Sequence, residues 1–82
     1  MTLTEQFDAA AERAKHLPPQ SNQVLLDLYA LYKQAKFGDV SGSKPGAFDL
    51  RGQAKYAAWK GLSGKSREDA MREYVAMVDD LG

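Results

Sequence analysis

Apolar residues recur along this chain at spacings of three and four, in separate stretches that never alternate as a strand would. The first stretch covers Leu3 to Lys15, with Leu3, Phe7, Ala10, Ala11 and Ala14 on one stripe. Thr2, followed three residues later by Glu5, fits a capping box at its start, and Pro18-Pro19 stops it. The second runs from Ser21 to Lys36 on Val24, Leu25, Leu28, Leu31, Tyr32 and Ala35, with Gly38 as its left-handed stop. Residues 37 to 50 are rich in Gly, Ser and Pro and form a connection longer than the ~12 residues beyond which loops are usually functional or disordered. An Ala-rich helix over Arg51 to Lys60 follows, expected to turn Ala54, Ala57, Ala58 and Leu62 inward and to end near Gly61. The last helix opens with Ser66 as N-cap and with Glu68 and Asp69 where the helix dipole favours them. Met71, Tyr74, Val75, Val78 and Leu81 make its apolar face. Four short amphipathic helices are expected to share one core, which predicts an all-α four-helix bundle.

The chain has 82 residues, enough for one domain over 1–82 and for a single core. It has no cysteine, so packed apolar surface must supply its stability. No apolar run approaches the ~20 residues of a membrane span, and the first residues lack the basic and apolar regions of a signal peptide. A cytoplasmic, monomeric protein without stable membrane insertion is the expectation.

Net charge is zero, but its distribution is uneven. Between Lys33 and Arg67 stand Lys33, Lys36, Lys44, Arg51, Lys55, Lys60, Lys65 and Arg67 against only Asp39 and Asp49. The flanks reverse this, with Arg13, Lys15 and Arg72 against nine carboxylates. Either the middle meets an anionic partner, or the acidic flanks fold back and neutralise it.

Little here points to catalysis. His16 is the sole histidine and has no companions at ligand spacing, so no metal site is expected. No pair of carboxylates lies in an apolar setting that would suit one for acid work. Gly64-Lys65-Ser66 imitates the end of a phosphate-binding loop, but Trp59 occupies the position of its first glycine and a helix precedes it. A sharper signal lies in the second helix, where Tyr29, Lys33 and Lys36 share a stripe, with Tyr32 one turn from Tyr29. In the third helix Lys55, Tyr56 and Trp59 cluster. Cations beside aromatic rings suit a phosphate attached to a nucleobase. The same residues also read as core tyrosines with lysines extended into water.

The stretch from Tyr29 to Asp39 resembles the second-helix signature of the acyl-CoA-binding proteins. The similarity continues through Lys44-Pro45-Gly46, Asp49, Gly52, Ala54-Lys55, Ala58-Trp59, Ser66, Glu68-Asp69-Ala70-Met71 and Tyr74, and back to Phe7-Asp8 and Lys15-His16-Leu17. The resemblance implies an up-down-down-up bundle with the long connection crossing between helices two and three. It also implies a non-enzymatic carrier of medium- to long-chain fatty acyl-CoA, with no cofactor. By the same resemblance Tyr29, Lys33 and Lys55 match the residues that hold the 3′-phosphate of CoA, and Lys15 and Tyr74 those around the adenine. Tyr32, with Ala30 and Leu31, falls in the family's contact stretch, and Ala11, Leu25 and Leu26 match the lining of the acyl groove.

Departures from the pattern are few. Tyr56 stands where a tryptophan is usual, the Pro18 to Gln20 loop is short and lacks a lysine, and the fourth helix carries no basic tail. The alternative is a helical protein–protein interaction module that offers a basic face to an acidic partner. Nucleic acid fits poorly, because domains that bind it are usually clearly basic and this one has a pI near 6.6.

Overall fold

The computed structural model describes all residues from Met1 to Gly82. It contains α1 (Leu3–Ala14), α2 (Asn22–Phe37), α3 (Leu50–Lys60) and α4 (Arg67–Leu81), and no strand. These elements form a four-helix bundle in which α4 packs on both α1 and α2 while α3 packs on α2. The Cα trace extends 41 × 28 × 15 Å, and its shortest dimension has room for only two layers of helices. No helix is long and apolar enough to cross a membrane.

Each helix begins where its side chains can satisfy the first free N–H groups. At α1 the capping box forms: Glu5 N–H donates to Thr2 Oγ1 at 3.1 Å and Thr2 N–H to Glu5 Oε1 at 2.9 Å. These bonds hold the Glu5 carboxyl below the usual glutamate range, the backbone bond from Thr2 most of all. Ser66 caps α4, accepting from Asp69 N–H at 3.0 Å, which leaves the Gly-Lys-Ser run no phosphate-loop geometry. Ser21 is not the first residue of α2 but its cap, with Val24 N–H donating to its hydroxyl at 3.2 Å. Asp49 caps α3 by accepting from Gly52 N–H at 2.9 Å. A Cβ on residue 52 would collide with that carboxylate, so a larger residue there would push the cap aside. Gly38 stops α2 at φ 78°, and its N–H donates to Gln34 O at 3.0 Å.

The core comes from three helices rather than four. Phe7 and Ala10 of α1, Leu28, Leu31 and Ala35 of α2, and Ala70, Met71, Tyr74 and Val78 of α4 form one buried cluster. The expectation that Ala54, Ala57 and Ala58 turn into a shared core is corrected: α3 buries no residue fully, and Ala54 and Ala57 are exposed. Alanine methyls are too short to reach across to the α1–α4 layer, so α3 rests on the outer side of α2 through half-buried Tyr56, Ala58 and Trp59. Leu25 also leaves the predicted core stripe and is 51% exposed.

Polar bonds fasten the end of α2 to the rest. The Trp59 indole N–H donates to Gly38 O at 2.9 Å, and Arg67 Nε donates to Ala35 O at 3.1 Å. Gln34 is fully buried, and its Nε2 donates to both Asp39 Oδ1 and Lys65 O, each at 2.8 Å. Nothing in the sequence pattern singles out this glutamine, which lies between Lys33 and Ala35 within the apolar half of the helix. Gly64 N–H adds a third bond to the knot, donating to Asp39 Oδ1 at 2.8 Å.

That bond from Gly64, followed by the one from Gln34, holds the Asp39 carboxyl below the usual aspartate range. Its pKa is lower folded than unfolded. The stabilisation is therefore present above the unfolded value and is lost as pH falls through the folded one. Two measurements check this. The Asp39 carboxyl carbon, followed by NMR, is expected to titrate below the ordinary aspartate range. Asp39→Ala is expected to lower Tm near neutral pH, with the gap to wild type closing below about pH 4.

Candidate functional site

The groove starts with a division of labour along α2. Residues facing α1 and α4 are buried, and those one position round the helix turn toward α3 or into the open. Leu25, Leu26 and Tyr29 thus line a cleft of about 610 Å³ together with Asn22 on the α2 side and Arg51, Ala54 and Lys55 on α3. A shallower depression of about 320 Å³ adjoins it, lined by Ala11, Ala14 and Lys15 from the α1 side, Leu25, Leu28, Tyr29 and Tyr32 of α2, and Tyr74 of α4. Leu25 and Tyr29 belong to both, so the two form one continuous surface.

Most of the residues expected at the site meet on this surface. Ala11, Lys15, Leu25, Leu26, Tyr29, Tyr32, Lys55 and Tyr74 all line it, although they come from four helices. Lys33 stands beside it, its Nζ 5.6 Å from the centre of the Tyr29 ring, 5.0 Å from that of Phe37 and 6.0 Å from that of Trp59. Lys55 Nζ approaches the same Tyr29 ring at 5.2 Å, so ammonium groups from two helices gather round one phenol. Lys36 leaves the stripe it shares with Tyr29 and lies 5.9 Å from the Tyr32 ring instead. Ala30 and Leu31 are the exceptions: both are buried, Leu31 in the core cluster, and neither lines the groove. A helix turns by a fixed angle per residue, so the residues between Tyr29 and Tyr32 cannot all face the same way. Asn22, Arg51 and Ala54 were not foreseen. Their place on the wall depends on how α3 packs against α2, which no local pattern encodes.

Under the groove lies a cluster of three rings. Phe7 stacks on Tyr32 at 5.5 Å and meets Tyr74 edge-on at 5.1 Å, and Tyr32 and Tyr74 are 6.0 Å apart. Burial pushes the Tyr74 phenol above the ordinary tyrosine range, and Tyr32 beside it adds to the effect. Its hydroxyl therefore stays a neutral donor near neutral pH.

The cations are left uncompensated. Of the eight basic residues between Lys33 and Arg67, Lys65 alone pairs with a carboxylate, that of Glu73. The remaining ion pairs, Arg13–Asp79, Lys15–Glu12 and Arg72–Asp69, all lie within the flanks. Apart from that one pair, folding does not bring the acidic flanks onto the basic middle, so neutralisation by the flanks does not account for the charge asymmetry.

The sequence profile of the Acyl CoA binding protein family matches residues 4–78. This chain belongs to that family. It is 50% identical over 82 residues to acyl-CoA-binding domain-containing protein 1 of Oryza sativa subsp. japonica, covering 99% of this chain and 90% of the rice protein. It is 46% identical over 80 residues to the acyl-CoA-binding protein of Saccharomyces cerevisiae, covering 96% and 92% of the two. The crystal structure of Oryza sativa acyl-CoA-binding protein 2 superimposes with a TM-score of 0.94 at 47% identity, over 98% of this chain and 90% of that one. The crystal structure of the family member from Moniliophthora perniciosa follows at 0.89 and 36%, over 99% and 80%.

Proposed function

We propose that this protein binds medium- to long-chain fatty acyl-CoA thioesters non-covalently and carries them as a monomer in the cytoplasm. One observation carries the reading: Lys33 and Lys55, neither paired with a carboxylate, converge on Tyr29 where that residue forms part of an apolar groove. Acyl-CoA has the matching division, a polyanionic head and a long apolar tail. In this reading Tyr29, Lys33 and Lys55 hold the 3′-phosphate, while Lys15, Tyr32 and Tyr74 complete the head-group site. Lys15 is held only by an exposed pair with Glu12 at 3.0 Å, an interaction weak enough to exchange for a ligand. Leu25, Leu26 and Ala11 receive the acyl chain, and the exposure of Leu25 is what a groove residue needs and a core residue would not tolerate. Binding removes apolar surface from water at both partners, about 0.8 kcal/mol for each methylene covered. No bond is made or broken, so the reading needs no nucleophile or base. A protein–protein module using the same basic face is less favoured, because it gives the groove beside the cations no role.

Calorimetry tests this. One palmitoyl-CoA per chain is expected, bound far more tightly than either free CoA or palmitate, with affinity rising along the acyl series. Added salt is expected to weaken the head-group contribution, since exposed charges are screened over about 8 Å at physiological ionic strength. The methylene increment should persist. Equal affinity for palmitate and its CoA thioester would overturn the head-group site.

A further inference from the structure

The cleft between α2 and α3 is polar at both ends. Its two walls run in the same direction, because Lys55 meets Tyr29 and, further along both helices, the Trp59 indole donates to Gly38 O. Counting back from Lys55, Arg51 lies one turn earlier, about 6 Å along α3. Counting back from Tyr29, Asn22 lies about two turns earlier, about 10 Å along α2. Both line the cleft. Lys33 lies the other way, one turn beyond Tyr29. Lys33 and Lys55 therefore mark one end and Arg51 the other, with Leu25, Leu26 and Ala54 between them.

The fold gives Arg51 no partner. It forms no ion pair. Asp49, two residues before it, is turned back on Gly52 N–H as the helix cap, and Asp27 of α2 accepts from Gln23 at 2.9 Å. Arg51 also stands in the first turn of α3, where the helix dipole disfavours a cation, and that turn contains no acid. The methyl end of a fatty acyl chain offers its guanidinium nothing to bind. We infer that Arg51 receives the carboxylate of an acyl chain oxidised at its ω-end, so that the cleft also accepts CoA monothioesters of long dicarboxylic acids. A guanidinium fork matches a carboxylate with two parallel N–H bonds, and the Asn22 amide across the cleft offers a further donor. The methylenes of Arg51 extend the apolar wall, so an ordinary acyl chain rests on its stem while the charge stays in water. The inference rests on the acyl-CoA reading and specifies the chain terminus that reading leaves open.

Calorimetry on wild type and Arg51→Met, each titrated with palmitoyl-CoA and hexadecanedioyl-CoA, tests this. Methionine keeps an apolar stem and removes the charge, so palmitoyl-CoA affinity is expected to change by less than about twofold. Hexadecanedioyl-CoA affinity is expected to fall about tenfold or more. Arg51→Lys should recover only part of that loss, because an ammonium cannot reproduce the fork. The effect should vanish with ω-hydroxypalmitoyl-CoA, which is uncharged at that end, and with dioyl chains too short to reach Arg51. Tm of Arg51→Met is not expected to fall, since the variant relieves the helix dipole. Equal losses for palmitoyl-CoA and hexadecanedioyl-CoA would move Arg51 to the CoA head and overturn the inference. The absence of any selective loss from dodecanedioyl-CoA to octadecanedioyl-CoA would overturn it as well. Failure of palmitoyl-CoA to bind wild type would end the carrier reading and this inference with it, whereas palmitoyl-CoA binding without the Arg51 effect ends the inference alone.

Discussion

Lys33→Ala is expected to weaken long-chain acyl-CoA binding by roughly 2–5 kcal/mol if the contact is desolvated in the complex, and by less if it stays at a wet rim. Lys33 is half-buried, its ammonium among the rings of Tyr29, Phe37 and Trp59, which favours the upper part of that range. The same substitution should change the affinity of a 3′-dephospho acyl-CoA very little, because that ligand already lacks the group assigned to Lys33. Wild type and variant titrated with both ligands form a cycle whose coupling reports this one contact. Lys55→Ala should behave alike, since its ammonium approaches the same phenol from α3. Losses that simply add, with no coupling, would remove Lys33 from the 3′-phosphate. Circular dichroism on each variant separates lost contact from lost fold.

Phe7→Ala has the largest expected effect on stability. Phe7 is 1% exposed and touches both Tyr32 and Tyr74, so truncation empties the centre of the ring cluster. Buried Phe→Ala changes cost about 3–5 kcal/mol, and domains of ordinary stability have only about 5–15 kcal/mol in total. Chemical denaturation should show a lower midpoint at unchanged slope, and Tm should fall by about 15 °C or more. Phe7→Leu keeps most of the volume and is expected to cost far less. Both variants should also loosen Tyr32 and Tyr74, which line the groove from above the same ring, so acyl-CoA affinity should decline in the same order as stability. A cost below about 1 kcal/mol for Phe7→Ala would mean that the core can close over the gap.

How much of this was legible in the chain differs from element to element. Helix existence, type and approximate ends follow from local physics: a period of three and four, Thr2 with Glu5, Ser66 before two acids, and prolines where a helix must stop. The Lys33–Tyr29 pairing was equally legible, because one turn of helix fixes it. The family signature extended this reach to Lys55 and Tyr74, which are distant in sequence from Tyr29 and have no local relation to it.

Tertiary packing decided the rest. Periodicity reports that a helix has an apolar face but not what covers it. It therefore placed Leu25 and the alanines of α3 in the core, when Leu25 faces the groove, Ala54 and Ala57 are exposed and Ala58 is only half-buried. The burial of Gln34 was invisible for the same reason: its partners, Asp39 and Lys65, arrive from the chain beyond α2 only once the crossover and the turn before α4 are in place. Charge shows the division most clearly. The sequence alone established that the middle of the chain is basic, and only the fold could decide whether the acidic flanks neutralise it. Apart from the Lys65–Glu73 pair they do not: Glu12, Asp69 and Asp79 pair with basic residues of the flanks, and no carboxylate pairs with a cation of α2 or α3.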